Sequence, residues 1–172
     1  AIIWEGDDPA ESRTISYAQL HAEVCRLANG LKSLGVRKGD HVAIWATNHP
    51  QWFLTFYAAC RIGAVLVTVN TAYKIHEAEY LLRQSDTHTL VMMDSYKDAD
   101  YAGIIREVCP ELETSLPGQL MSRRLPVLKN IINFTSAQPG CFTWDEFIAR
   151  GESVPLERVY EIARTLNPHD VV

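Results

Sequence analysis

Two short patterns in the chain have the spacing of known metal-binding or phosphate-binding motifs. The first, residues 76–80, reads His-Glu-Ala-Glu-Tyr and begins like the helix of a zinc protease, but Tyr80 stands where the second histidine ligand is required. The second, Gly30 and Gly35, has the glycine spacing of a phosphate loop, but valine and arginine follow where lysine and serine or threonine are needed. Neither pattern therefore predicts a metal site or a phosphate site.

The cysteines and histidines do not form a catalytic or metal-binding group either. The four cysteines are Cys25, Cys60, Cys109 and Cys141. Successive cysteines are 35, 49 and 32 residues apart, so no Cys-x-x-Cys pair exists for zinc or redox chemistry. The six histidines never cluster at ligand spacing, and neither Gly-x-Ser-x-Gly nor Gly-x-Gly-x-x-Gly occurs. We predict no catalytic residue and no metal ligand in this chain, and a reducing, cytoplasmic location.

Composition excludes several other classes of protein. Lys and Arg number 16 against 21 Asp and Glu, which gives a net charge of −5, and both signs are spread along the chain. This distribution does not predict binding to nucleic acid. With 47% hydrophobic and 22% charged residues in 172, the chain is long and apolar enough to fold around one core.

The most apolar segment, residues 52–69, approaches the length of a membrane span. Arg61 lies at its middle beside Gly63, and placing that charge in lipid would be costly, so we predict no membrane span but a buried helix followed by a buried strand. The aromatic residues of the predicted helix are expected to pack against a sheet; they are Trp52, Phe53, Phe56 and Tyr57.

Helices and strands alternate along the chain. Ser16 and Gln19 have the spacing of a capping box, apolar residues then recur every three or four positions, and Gly35 suits the end of a helix. The same reasoning predicts helices at 16–35, 50–63, 76–84, 101–108, 144–150 and 156–165, and strands at 41–46, 64–69, 89–93 and 130–134.

This alternation predicts an α/β fold with an open, mostly parallel sheet and helices on both faces. Such sheets bind ligands at the carboxyl ends of their strands. The final residues, Asp170-Val171-Val172, have the pattern of a strand that has just begun, so we expect a truncated fold.

Three segments of the chain occur in the order and at the spacing of the motifs of one enzyme family. Residues 14–20 read Thr-Ile-Ser-Tyr-Ala-Gln-Leu, and residues 31–44 follow the pattern Leu-x-x-x-Gly-hydrophobic-x-x-Gly-Asp-x-Val-x-hydrophobic. Residues 58–65, followed by Val-Asn-Thr at 69–71, form an apolar helix that leads into a strand and a loop. In this order the three segments resemble the entry motif and the next two segments of the AMP-forming acyl-CoA synthetases, which belong to the adenylate-forming superfamily.

The resemblance implies that residues 1–172 are the N-terminal portion of an AMP-binding domain and end just before the ATP phosphate loop. It implies ATP, magnesium and coenzyme A as cofactors of the full enzyme, which forms an acyl-adenylate and pyrophosphate before the coenzyme A thiol displaces AMP. A fragment without the phosphate loop is expected to be inactive. The alternative is a self-contained α/β binding or interaction module without catalysis.

The resemblance also suggests one candidate site for coenzyme A. In acetate-using relatives the loop after the second strand carries an aromatic-Ala-Gly-aromatic signature, whereas this chain has Asn70-Thr71-Ala72-Tyr73. The departure favours a medium- or long-chain fatty acid as the carboxylate substrate. We predict that Asn70, Thr71 and Tyr73 form a wall of the coenzyme A site, the alternative being that they cap the following helix. A homo-oligomer is compatible with the sequence.

Overall fold

A five-stranded parallel sheet forms the centre of the computed structural model, which describes residues 2–6, 10, 12–152 and 154–171. In chain order the elements are β1 (Ile2–Trp4), β2 (Arg13–Ile15), α1 (Tyr17–Ser33), β3 (His41–Trp45), α2 (Pro50–Ile62), β4 (Val65–Thr68), α3 (Ile75–Gln84), β5 (Thr87–Met92), β6 (Ser95–Tyr96), β7 (Ala99–Asp100), α4 (Tyr101–Val108), a 3₁₀ turn (Pro110–Glu113), β8 (Asn130–Asn133), β9 (Phe142–Thr143), α5 (Trp144–Glu152) and α6 (Leu156–Ala163).

The sheet has the order β4-β3-β5-β8-β9, and every neighbouring pair is parallel. The chain passes from β3 outward to β4 and then returns across β3 to β5. Because parallel crossovers are right-handed, these opposite directions put α2 and α3 on opposite faces. The helix contacts agree, since α1 contacts α2, α5 and α6, whereas α3 contacts α4. The prediction of an open, parallel α/β sheet covered on both faces is confirmed.

The central strands are buried on both faces. In β3 the four residues from Val42 to Trp45 are all buried, and in β5 all but His88 are buried. Successive residues of a strand point to opposite faces, so this pattern requires a helix layer on each side. The apolar runs in the sequence therefore correspond to the centre of the sheet.

The prediction that the aromatic residues of α2 pack against the sheet is wrong for Phe53 and Tyr57, whereas Trp52 is half-buried and packs against the core. Phe53 and Tyr57 are 46% and 44% exposed, and α2 instead presents its smaller residues to the interior, among them Leu54, Ala58 and Ile62. Leu54 and Ala58 each follow one of these exposed residues and point inward, so Phe53 and Tyr57 lie toward solvent. Small alanines on the inner face also allow the helix to lie close to the sheet.

Three short pairings were not predicted: β1 with β2, β6 with β7, and β8 with β9. Segments of two or three residues are too short to show a period of two, so hydrophobic patterning cannot detect them.

The predicted final strand is also not seen at its first two positions. Asp170 closes a turn instead, where its carboxylate accepts hydrogen bonds from the Asn167 backbone N–H and from Lys38 Nζ. Val172, the last residue of that predicted strand, lies outside the described residues.

Candidate active-site edge

The carboxyl ends of the parallel strands form one edge of the sheet, which we call the carboxyl edge. The loops there begin after Trp45, Thr68, Met92 and Asn133. The strands β3 and β5 are neighbours, but the connection from β3 leads to β4 on one side of the sheet and the connection from β5 leads to β8 on the other side. The position between β3 and β5 is therefore a topological switch point. Open α/β sheets bind ligands in the crevice outside such a point, so polar groups on these loops are candidates for ligand contacts.

The loop after β4 is a compact turn. The Asn70 side-chain oxygen accepts a hydrogen bond from the Ala72 N–H at 2.9 Å, and the Asn70 carbonyl accepts one from the Tyr73 N–H at 3.1 Å. Asn70 is exposed, whereas Thr71 and Tyr73 are half-buried. The N-terminus of α3 is capped differently, because the Lys74 N–H donates to the side chain of Glu77. Residues 70, 71 and 73 therefore do not cap the helix.

Thr71 lines an open cleft of about 270 Å³ between this loop and the β6–β7 hairpin. We call it the lysine cleft; its lining residues are Thr71, Ala72, Lys74, Tyr96, Lys97, Asp98 and Ala99. Asn70 and Tyr73 do not line it, so the structure brings one of the three predicted site residues to the cleft and holds the other two beside it.

The lysine cleft carries one more positive than negative charge. Lys74 Nζ lies 3.2 Å from an Asp98 carboxylate oxygen, and this bond lowers the pKa of Asp98. Lys97 Nζ lies 5.3 Å from the centroid of the Tyr96 ring, within range of a cation–π contact. The hairpin turn holds Lys97 in the left-handed region, with φ of 53°. A cationic, partly aromatic cleft of this kind suits a phosphate-bearing ligand.

Lys97 and the hairpin that carries it were not predicted from the sequence. The two strands of the hairpin are two residues each, so no alternation marks them. The only local signal was a polar run between the buried strand β5 and the helix α4.

A second polar cluster at the carboxyl edge is centred on Asp94, two residues after the end of β5. Its carboxylate accepts hydrogen bonds from Asn133 Nδ2 at 2.6 Å and Gln138 Nε2 at 3.1 Å, and its backbone N–H donates to Thr135 Oγ1 at 2.8 Å. Burial tends to raise the pKa of Asp94, but hydrogen bonds from Ser136, Asn133, Gln138 and Thr135 outweigh burial and lower it. This cluster joins the loops after β5 and β8, and its polar side chains are hydrogen-bonded to one another.

A larger apolar groove, of about 650 Å³, lies between α1, α2 and α6. Among the residues that line it, Tyr17 is 79% exposed and Tyr57 is 44% exposed. It is bordered by helices and not by the loops of the carboxyl edge.

Three of the four cysteines are poorly suited to nucleophilic chemistry. Burial raises the pKa of the Cys141 thiol to about 12, and burial also raises the pKa of Cys60 and Cys109. Because the thiolate is the reactive form, these groups are unreactive at neutral pH.

Within residues 2–6, 10, 12–152 and 154–171, no group of three or more His, Cys, Asp or Glu is placed to hold a metal ion. No helix in the same part of the chain is long and apolar enough to cross a membrane.

The fold and the carboxyl edge together define an open, parallel α/β ligand-binding domain. Comparison with known proteins makes the class specific, because the sequence profile of the family described as AMP-binding enzyme matches residues 1–154. The chain belongs to this family, whose relatives include acyl-CoA ligases, and it corresponds to an N-terminal portion of them.

Two sequence relatives illustrate the match. YngI of Bacillus subtilis is 40% identical over 165 residues, which are 95% of this chain and 30% of that protein. The mitochondrial medium-chain acyl-CoA ligase ACSF2 of Macaca fascicularis is 37% identical over 166 residues, 96% of this chain and 27% of the relative. The chain thus spans between a quarter and a third of the length of these relatives.

A solved structure matches as well. Acetoacetyl-CoA synthetase from Streptomyces lividans superposes with a TM-score of 0.63 at 26% identity, covering 81% of this chain and 21% of that one. The fold described above is therefore that of the N-terminal part of adenylate-forming enzymes.

Proposed function

We propose that this chain is the N-terminal portion of an ATP- and magnesium-dependent acyl-CoA synthetase that acts on a medium-chain fatty acid. The observation that carries the proposal is the 37% identity to a medium-chain acyl-CoA ligase over 96% of the chain. The residue pattern at 70–73, which departs from the acetate-type signature, supports a longer acyl chain. A cytoplasmic location and a domain boundary just before the phosphate loop stay predictions.

The proposed reaction has two steps. First, a carboxylate oxygen of the fatty acid attacks the α-phosphorus of ATP, which forms an acyl-adenylate and releases pyrophosphate. The sulfur of coenzyme A then attacks the acyl carbonyl carbon, the bond to AMP breaks, and a thioester forms while the thiol proton is lost. The described residues offer no acidic cluster for magnesium, so we assign the ion no ligand among them.

In this proposal the chain contributes the lysine cleft to coenzyme A binding. Lys74 and Lys97 would face the phosphates of coenzyme A, because ammonium groups form charge-assisted hydrogen bonds with phosphate oxygens. Thr71 supplies a hydroxyl at the cleft wall, the exposed Asn70 lies at its border, and Tyr73 packs beneath the loop.

The test is a pyrophosphate-release assay on the complete gene product with octanoate, ATP, magnesium and coenzyme A. We expect pyrophosphate release and a thioester product from the complete protein, and neither from residues 1–172 alone. Absence of pyrophosphate and AMP with a broad panel of carboxylates would rule out the synthetase. The alternative from the sequence, a self-contained binding module, would then account for the fold.

Lys97→Ala is expected to raise the KM for coenzyme A about tenfold in the complete protein, equivalent to about 1.4 kcal/mol. The reason is the loss of one charge-assisted contact to phosphate. The rate of ATP–pyrophosphate exchange, which reports the first step only, should not change. Lys129→Ala is the matched control, because Lys129 is also exposed but lies just before β8, at the opposite end of the strands. Equal effects of the two variants would contradict a phosphate contact at Lys97.

A further inference from the structure

Two large aromatic residues are stacked beneath the lysine cleft. Trp45 is the last residue of β3 and Tyr101 is the first residue of α4, and both are fully buried. Their ring centroids are 4.2 Å apart and the ring planes are inclined by 24°. This geometry is a close stacked pair between two elements that are far apart in the sequence.

Both residues donate a hydrogen bond to the loop that forms one wall of the cleft. Trp45 Nε1 donates to the Asn70 carbonyl at 3.1 Å, and the Tyr101 hydroxyl donates to the Thr71 carbonyl at 2.8 Å. Burial raises the pKa of Tyr101, so its hydroxyl keeps its proton at neutral pH and remains a donor. Two consecutive carbonyls of the loop are therefore held by buried side chains.

The same pair is connected to the opposite wall. Tyr101 directly follows the β6–β7 hairpin, which carries Lys97, and the next N–H, that of Ala102, donates to the Asp94 carbonyl at 3.0 Å. The residue before the hairpin, Asp94, is therefore hydrogen-bonded to Ala102. The residue after the hairpin, Tyr101, is hydrogen-bonded to the loop that contains Thr71. Movement of the Trp45–Tyr101 pair would change the distance between the two walls.

We propose that Trp45 and Tyr101 are positioning residues that fix the width of the lysine cleft for its ligand, coenzyme A in the proposed function on which this inference rests. Phenylalanine would fill much of the same core volume, but it has neither of the polar hydrogens that reach Asn70 and Thr71. The indole N–H and the phenolic O–H each have a partner in the loop, as buried tryptophan and tyrosine require.

Tyr101→Phe in the complete enzyme is the first test, because it removes only the hydroxyl. We expect the KM for coenzyme A to rise about fivefold, the net effect typical of one buried hydrogen bond, while the KM for ATP and the ATP–pyrophosphate exchange rate stay unchanged. Trp45→Phe should move the same parameter in the same direction. Tyr80→Phe is the control, since Tyr80 is 68% exposed on α3. Equal increases in the KM of all substrates would indicate general destabilisation and overturn the proposal.

Amide hydrogen exchange in the complete protein provides a second test that does not depend on coenzyme A. Tyr101→Phe should accelerate exchange at the Ala72 and Tyr73 amides several-fold, with no change in the strands of the central sheet. Unchanged exchange at these two amides would overturn the proposal whatever the kinetics. If the wild-type enzyme does not use coenzyme A, the proposed function is overturned. Amide hydrogen exchange would still show whether the Trp45–Tyr101 pair holds the loop in place.

Discussion

Gly151→Ala is expected to lower the free energy of unfolding by about 3 kcal/mol, at the upper end of the usual cost of overpacking. A Cβ atom at Gly151 would lie 2.0 Å from the carbonyl oxygen of Arg26 and 3.0 Å from the backbone nitrogen of Gly30. Both neighbours are backbone atoms of α1, so no side-chain rotation can relieve the contact. The two helices would have to move apart.

Urea denaturation of the 172-residue chain measures this effect, and Gly35→Ala is its control. Gly35 has a φ of 89° but nothing within 4 Å of a built Cβ, so alanine there meets only the cost of a left-handed backbone, about 1 kcal/mol. The comparison separates steric clash from backbone strain. If Gly151→Ala costs no more than Gly35→Ala, α1 and α5 do not approach as closely as the structure describes.

The sequence predicted the elements on each side of this helix contact but not the contact itself. The predicted helix at 144–150 stops one residue before Gly151, whereas Gly151 lies within α5 (Trp144–Glu152). A glycine at a helix end and one at a close approach look the same in a single sequence. Only the three-dimensional crossing of α1 and α5, which are more than a hundred residues apart, distinguishes them.

The centre of the sheet was predictable for a different physical reason. β3 and β5 are covered on both faces, so every position favours an apolar residue and the signal is continuous along each strand. β6 and β7 have two residues each and lie at the surface, so local sequence contains too little information to define them. The lysine cleft lies between one predictable and one unpredictable segment, so the position of the loop with Thr71 could be predicted from the sequence and that of the hairpin with Lys97 could not.

The polar clusters of the carboxyl edge could not be predicted from local sequence motifs. No pattern of nucleophile, base or metal ligand predicted a function, and only the three ordered segments resembling acyl-CoA synthetases did so. The structure explains why: its polar clusters at the carboxyl edge are assembled from loops after different strands, so their members are not neighbours in sequence. Asp94 and Asn133, for example, meet because β5 and β8 are adjacent and end at the same edge.

Asp94→Ala is expected to lower the free energy of unfolding by about 3 kcal/mol at pH 7. The carboxylate accepts hydrogen bonds from Asn133 and Gln138, and a bond to a charged acceptor contributes about 1.5 to 3 kcal/mol. Asn133 is 1% exposed, so loss of Asp94 leaves a buried amide donor without its acceptor. The loops after β5 and β8 would lose their main polar connection, while the central strands would remain.

The pH dependence gives this prediction its sharpest test. The pKa of Asp94 is lowered in the folded state, so its stabilisation is complete above its ordinary pKa of about 3.8 and is lost as the pH falls through the lower folded value. The difference between wild type and Asp94→Ala, measured by urea denaturation, should therefore be constant from pH 7 to about pH 5 and shrink below about pH 4. Asp145→Ala removes an exposed carboxylate on α5 and serves as the control. A difference that persists unchanged at the lowest pH would mean that packing, and not the charged hydrogen bonds, holds the two loops together.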